Sequence, residues 1–223
     1  IGIGSPRASL EANFALRALV GPERFFTGMS EGDEQLARSV VDILQRGPAR
    51  SASLEDVRAS DAVFVLGDDT TQYAPVLALS IRQSVRNQPI RDFAAKARIA
   101  RWDDQPQREI IQGRTGPLAI ASVTPTKLDD IATLTYHAAP DDLARLGFAV
   151  AEALGAAVVD LGDMANEVRG LAATIAQALR SGEKPLIVGG ASYQNEGIVQ
   201  AAANVAWALT ALAAMSVTVT SRV

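Results

Sequence analysis

The run Ala62-Val63-Phe64-Val65-Leu66, ending at Gly67, constrains this chain more than any other stretch. It is apolar at every position instead of every second one, which is the pattern of a strand buried on both faces, inside a parallel sheet with helices above and below. Its surroundings agree. A loop from Asp68 to Tyr73 leads to a helix from about Pro75, where Leu77, Ile81 and Val85 recur every four residues. Leu118 to Val123 and Leu186 to Val188 read as further central strands, and Leu134-Thr135-Tyr136 as another. Between and after them, Leu143, Leu146 and Val150 mark a helix ending near Gly155, and Val168, Leu171, Ile175 and Leu179 mark one stopped by Gly182. Strands alternating with helices define the fold class: α/β, a parallel sheet with helices on both faces.

The N-terminal part continues the alternation. Gly4-Ser5-Pro6 reads as a strand exit with Ser5 as cap and Pro6 at the first helical position, followed by Leu10, Phe14 and Leu19 at helical spacing up to Gly21-Pro22. Phe25-Phe26-Thr27 is a short strand, Leu36, Val40, Ile43 and Leu44 belong to a helix stopped by Gly47-Pro48, and Ser53-Leu54-Glu55-Asp56 is a capping box. Asn87 to Gly116 is polar, with Arg91, Lys96, Arg98, Arg101 and Arg108, and predicts surface helices. Mild polar shifts near 87 and 155–162 allow two lobes without fixing their boundaries. Gly197 to Ser221 carries no charge and is long enough to span a bilayer, but its Ala-rich composition, with Gln200 and Asn204, predicts a buried helix over about Glu196 to Ala214 and no membrane insertion. Val217-Thr218-Val219-Thr220 alternates and predicts a strand, an edge through which the chain is expected to self-associate.

Composition narrows the chemistry. The net charge of −4, with Lys and Arg scattered over 223 residues, offers no basic track for a phosphate backbone, so nucleic acid is not an expected partner. The absence of cysteine excludes Cys-ligated iron–sulfur and zinc sites within these residues, and the single histidine, His137, cannot build a multi-histidine metal site. The chain opens at Ile1 and is read as part of something longer.

In open parallel sheets ligands bind beyond the carboxyl ends of strands. Three loops are so placed: Gly67-Asp68-Asp69-Thr70-Thr71, Thr124-Pro125-Thr126 and Gly189-Gly190-Ala191-Ser192. They read either as a nucleotide or pterin-phosphate crevice or as turns and helix caps, and the carboxylates of Asp68 and Asp69, which repel phosphate, favour turns and caps. No phosphate-loop motif occurs, and Gly2-Ile3-Gly4 has Arg7 where a dinucleotide fingerprint needs its third glycine. The pairs Asp103-Asp104, Asp129-Asp130 and Asp141-Asp142 read either as an oxygen-rich cation site or as acids at helix starts, where they complement the macrodipole, and the helix-start reading is the expected one. His137 is expected to be a satisfied loop residue, and Tyr73, Trp102, Tyr193 and Trp207 to serve core or edge packing. No catalytic residue and no metal ligand is expected.

Three blocks carry a family resemblance. Ser5-Pro6-Arg7-Ala8-Ser9-Leu10-Glu11-Ala12-Asn13 resembles the opening of the molybdopterin oxidoreductase domain, where a Ser-x-x-x-x-x-Glu-x-Asn helix follows a glycine-rich strand. Asp61 to Gln72, then Pro75 and Ile81-Arg82-Gln83, is similar to the family's second block; Pro185 to Gly190, then Ala203-Asn204-Val205-Ala206, is similar to its late strand and helix. Within the family (formate dehydrogenase and DMSO reductase-like proteins) the wording is most similar to the G subunits of bacterial NADH-quinone oxidoreductase. The resemblance spans residues 1–223, which it implies to be a piece of a molybdopterin oxidoreductase-like domain.

Departures from the family shape what that implies. Gly67-Asp68-Asp69-Thr70 stands where molybdenum enzymes tend to have Gly-Ser-Asn-Pro, Ala139-Pro140-Asp141-Asp142 where they tend to have Pro-Gly-Thr-Asp, and no Cys is available to ligate molybdenum. The resemblance therefore implies a scaffold: the fold without the molybdenum cofactor, with iron–sulfur clusters elsewhere in a longer polypeptide that passes electrons from NADH toward quinone. The crevice loops would be vestigial, the partners would be other peripheral-arm subunits of the respiratory complex, and the location would be the cytoplasmic face of the bacterial inner membrane. A molybdopterin-binding oxidoreductase fragment and a free nucleotide-binding regulatory module are the alternatives.

Overall fold

The computed structural model describes residues 1–97, 113–157 and 161–220, which form two compact units, Ile1–Val41 and Asp42–Val223. In the first, β1 (Gly2–Ile3) leads to α1 (Leu10–Val20), a 3-10 turn (Pro22–Arg24), β2 (Phe25–Phe26) and the start of α2 (Glu31–Arg46). β1 and β2 pair in parallel, and a side chain at Gly2 would sit 2.9 Å from Val20 Cγ2, so α1 lies directly on the strand. The helix begins four residues later than expected. Its cap is Ser9, whose hydroxyl accepts from Ala12 N at 3.2 Å. Ser5 is engaged elsewhere: Asn13 Oδ1 accepts from Ser5 N at 3.0 Å, and Asn13 Nδ2 donates to Ser5 O at 2.9 Å and Ser9 O at 3.2 Å. The Ser and Asn of the opening motif thus stitch the strand exit back onto the helix. Leu10, Phe14 and Leu19 lie on the outside of this unit, so their spacing marks a helix but not a buried face.

The second unit contains α3 (Leu54–Ala59), β3 (Ala62–Leu66), α4 (Thr70–Tyr73), α5 (Pro75–Ser84), α6 (Asn87–Ala97), β4 (Leu118–Ser122), β5 (Leu134–His137), α7 (Pro140–Ala153), α8 (Asn166–Ser181), β6 (Pro185–Gly189) and α9 (Glu196–Thr220). The strands form a parallel four-stranded sheet in the order β5-β4-β3-β6. Ala62, Phe64 and Leu66 point into one core with residues of α7, α8 and α9 such as Leu143, Leu146, Val150, Ile175 and Ile198. Val63 and Val65 point into a second core with Val57 of α3 and Ala78 and Ile81 of α5. The sheet is therefore covered on both faces, as the unbroken apolar run requires. α7 crosses the sheet at Gly147, where an added Cβ would stand 2.6 Å from Leu66 Cδ2 and 2.8 Å from Ala201 Cβ. Small residues along α9, with Ala201, Ala202 and Ala208 buried, allow that approach.

Several expectations need correction. Leu186 to Val188 is an edge of the described sheet and not central, because β6 pairs only with β3; its residues are half-buried where those of β3 and β4 are fully buried. Three apolar residues cannot distinguish these positions, since helices cover an edge strand's faces too. The stretch from Asp68 to Tyr73 is not all loop: Asp69 Oδ1 accepts from Thr71 N at 2.9 Å and nucleates the helical turn α4. Val217 to Thr220 continues α9 and is not a strand. Extending an established helix needs no new nucleus, whereas β-branched residues form a strand only where a neighbouring strand can pair with them. The strand edge that suggested self-association is thereby removed. Asp129-Asp130 lies in a turn between β4 and β5, not at a helix start. Tyr73 is 70% exposed and serves no core. Arg98, Arg101, Trp102, Asp103, Asp104 and Arg108 lie outside the described residues.

Candidate functional site

The strand order brings the candidate loops to one end of three adjacent strands, β4, β3 and β6. Gly67 leaves β3 with φ +73, a conformation natural only to glycine, and donates its N–H to Ala121 O of β4 at 2.8 Å. Its Cβ position would overlap Ile198 Cγ2 at 2.3 Å. Gly189 pairs in register with Leu66, and a Cβ there would be 2.6 Å from Ala202 Cβ, which keeps β6 tight against α9. Gly190 donates to Leu66 O at 3.0 Å, and any side chain on it would collide with Asp68 Cβ at 2.2 Å and Gly67 O at 2.3 Å. The glycines of this crevice thus make room for the α9 side chains Ile198 and Ala202 and for the Gly67–Asp68 segment.

Polar groups close the same space. Asp68 Oδ1 accepts from Ser192 Oγ at 2.8 Å, which ties the β3 loop to the β6 loop. Asp69 accepts from Thr71 N and, at 2.6 Å, from Thr71 Oγ1. At the start of α9, Asn195 Oδ1 accepts from Ile198 N at 3.1 Å while Asn195 Nδ2 donates to Asp141 Oδ1 at 2.7 Å. The helix-start donor that an anion would use is therefore met by a side chain, and Glu196 and Asp141 add negative charge beside it. Thr70 is buried, and its hydroxyl has no hydrogen-bond partner among the described residues. Thr124 contributes its carbonyl, which accepts from Ser122 Oγ at 2.7 Å. All of the candidate residues reach the carboxyl end of the sheet; Asp69 bonds with Thr71, Asp68 with the Ser192 side chain, and Gly190 with the Leu66 backbone. The polar groups at this end of the sheet are thus carboxylates and backbone amides that are bonded within the protein. Among the described residues no group of three or more His, Asp or Glu could hold a metal ion, and without cysteine the chain has no thiolate for a cluster.

Three networks were not legible as such in the sequence. His137, at the end of β5, is satisfied as expected, with Asp129 Oδ2 3.0 Å from Nε2 and Ser122 Oγ 3.2 Å from Nδ1; nothing in the spacing of 122, 129 and 137 foretells their meeting. At the opposite end of β3, buried Asp61 accepts from Glu183 N and Lys184 N, each at 2.9 Å, and pairs with Arg91 of α6. An acid placed directly before a buried strand was the available signal. The Arg82 guanidinium of α5 grips Asp130 through two bonds of 3.0 Å and donates to Lys127 O at 2.7 Å, and it holds the Asp130 carboxyl below the usual range.

The class defined by these features is a parallel α/β domain whose strand-exit loops are hydrogen-bonded to one another. No family model matches the chain. Over 209 residues, 94% of its length, it is 46% identical to the NADH-quinone oxidoreductase G subunit of Pseudomonas fluorescens. It is 43% identical over the same extent to the G subunit of Pseudomonas putida and 42% to that of Escherichia coli. These curated homologues are all G subunits of NADH-quinone oxidoreductase, as the resemblance to the G subunits implied. The chain spans 23% of the length of these relatives. Among the described residues no helix is long and apolar enough to cross a membrane.

Proposed function

We propose that this chain is a structural part of the G subunit of an NADH-quinone oxidoreductase, with the molybdopterin oxidoreductase-like fold retained and its cofactor crevice vestigial. Electrons from NADH would pass toward quinone through iron–sulfur clusters held outside residues 1–223, and this segment would hold neither a cluster nor a molybdenum cofactor. What supports the reading is that the loops at the carboxyl end of the sheet are bonded to one another: Gly190 N donates to Leu66 O, and Ser192 Oγ to Asp68. As a scaffold it would dock on other peripheral-arm subunits of the complex, at the cytoplasmic face of the bacterial inner membrane.

The test uses a full-length G subunit in which this segment replaces the homologous one. The assembled complex should oxidise NADH with quinone, and Asp68→Ala or Thr124→Ala should leave the rate per assembled complex unchanged. Metal analysis of the 223-residue chain alone should give iron and molybdenum far below one atom per chain. Stoichiometric molybdenum, or loss of rate on a crevice substitution in a fully assembled complex, would establish the cofactor-binding alternative instead.

A further inference from the structure

The sheet of the smaller unit is bare on one side. β1 and β2 pair over two residues each, Gly2 opposite Phe25 and Ile3 opposite Phe26. Side chains alternate along a strand, so α1, which lies on Gly2, covers one face, and Ile3 and Phe26 share the other. They are 71% and 57% exposed. With Met29 they line a groove of about 860 Å³, walled by Glu31, Glu34 and Arg38 of α2. The backbone of β1 is open as well. Gly4 donates to Phe26 O at 2.8 Å, and alternate residues of a strand in a parallel ladder bond to the same neighbour. The N–H and C=O of Ile3 therefore point away from β2. The outward donor of β2, Phe25 N, is already used by Pro22 O of the 3-10 turn. The free edge is thus that of β1, and it adjoins the bare face.

A sheet of two such short strands is marginal in water. The helix against it adds little burial: α1 has no buried residue, and Leu36 is the one buried hydrophobic side chain of Ile1–Val41. We propose that a third strand pairs with the open edge of β1 and lays apolar side chains over Ile3 and Phe26, and that it comes from the G-subunit polypeptide outside these 223 residues. The inference rests on the reading of this chain as part of a G subunit. The chain spans 23% of the length of those relatives, so the greater part of such a polypeptide lies outside it. The same polypeptide is favoured over a separate subunit because a sheet this small needs its third strand in order to form, before any partner arrives. The groove's arginine, Arg38, is paired with Glu34, so an apolar occupant suits it better than an acidic one.

Thiol labelling tests the strand in two proteins: the 223-residue chain, and a full-length G subunit carrying it in place of the homologous segment. The chain has no cysteine, so Phe26→Cys places a single thiol in it, and the peptide that carries the substitution is followed by mass spectrometry. Labelling should be fast in the 223-residue chain and slower by about tenfold or more in the full-length subunit without other subunits. In the full-length subunit Ile3→Pro deletes the outward N–H, spares the bonds to β2 and should restore fast labelling; Ile3→Ala keeps the N–H and should restore less of it. Equal rates in the two proteins overturn the proposal, as does protection that survives Ile3→Pro. Protection that appears only when other subunits are added assigns the edge to one of them and overturns it too. So does protection already present in the 223-residue chain, which light scattering would trace to a second copy if the chain is a dimer. The quinone rate of the complex assembled with the unsubstituted full-length protein judges the G-subunit reading separately. An active complex whose thiol stays uncovered sinks the strand alone, and an inactive one sinks the reading and the strand with it.

Discussion

Asp61 joins three elements with one carboxylate, and replacing it by Asn isolates what that junction is worth. The two oxygens accept separate backbone donors, Glu183 N and Lys184 N, at 2.9 Å each, and the Arg91 guanidinium completes the set. An Asn side chain has one acceptor; its amide nitrogen would face the second N–H donor to donor. That leaves one buried backbone donor unmet, at a cost of about 1–3 kcal/mol, and the lost charge weakens the arginine pair by about 1 kcal/mol more. The arginine part is small because the Arg91 side chain is 27% exposed and regains water. Asp61→Asn should therefore destabilise the Asp42–Val223 unit by about 2–4 kcal/mol, and Asp61→Ala, which orphans both donors, by at least as much. In urea unfolding the midpoint should fall by about 1 M or more with little change of slope. Hydrogen exchange should speed up at the Glu183 and Lys184 amides before it does in β6. A double-mutant cycle with Arg91→Met should show coupling, since the two residues are in contact. A loss below about 1 kcal/mol, with the two amides still protected, would refute the reasoning, because it would mean that solvent replaces the carboxylate at the strand entrance.

Other expectations follow from the same contacts. Gly147→Val should destabilise by about 1–3 kcal/mol through overpacking against Leu66 and Ala201, measured by thermal unfolding; a variant as stable as the parent would show that α7 can lift off the sheet. Phe64→Ala, at a fully buried position, should cost about 3–5 kcal/mol by the same measurement. The Asp56 carboxyl is held well below its ordinary range by its hydrogen bonds with Arg50 and then Ser53, and Asp130 is lowered by Arg82. Lowered folded values mean that this stabilisation is complete above the ordinary carboxylate range, near pH 4, and is lost as pH falls through the folded values. Arg50→Gln should remove part of that acid dependence, and an unchanged acid titration of stability in the variant would count against the pairing.

Much of the second unit follows from local physics and was legible in the residues. Ala62 to Leu66 is a two-faced buried strand because no polar side chain interrupts it. Ser53 to Asp56 is a helix start because its side chains reach backbone donors three residues away; the helices at Pro75, Pro140 and Asn166 follow from apolar spacing and flanking proline or glycine. The three crevice loops could be placed at one end of the sheet because a parallel sheet puts the exits of its strands on one side. The resemblance to the G subunits was legible too, since several short blocks recur in order.

Only the tertiary structure decided which strand is an edge, because strand order depends on which crossovers pack, and every strand flanked by helices has the same composition. The contacts at the crevice were undecided for the same reason: glycine at 67 and 190 suits a phosphate or a close-packed neighbour equally well, and the neighbours found there, Ile198 against Gly67 and Ser192 on Asp68, come from distant parts of the chain. Asp61 with residues 183 and 184, and Ser122 with His137, are likewise meetings across more than ten positions of sequence, and no periodicity records them. A sequence determines which residues want burial, caps or partners; which partner each one finds depends on the order in which helices and strands stack, and that is settled only when the whole core closes.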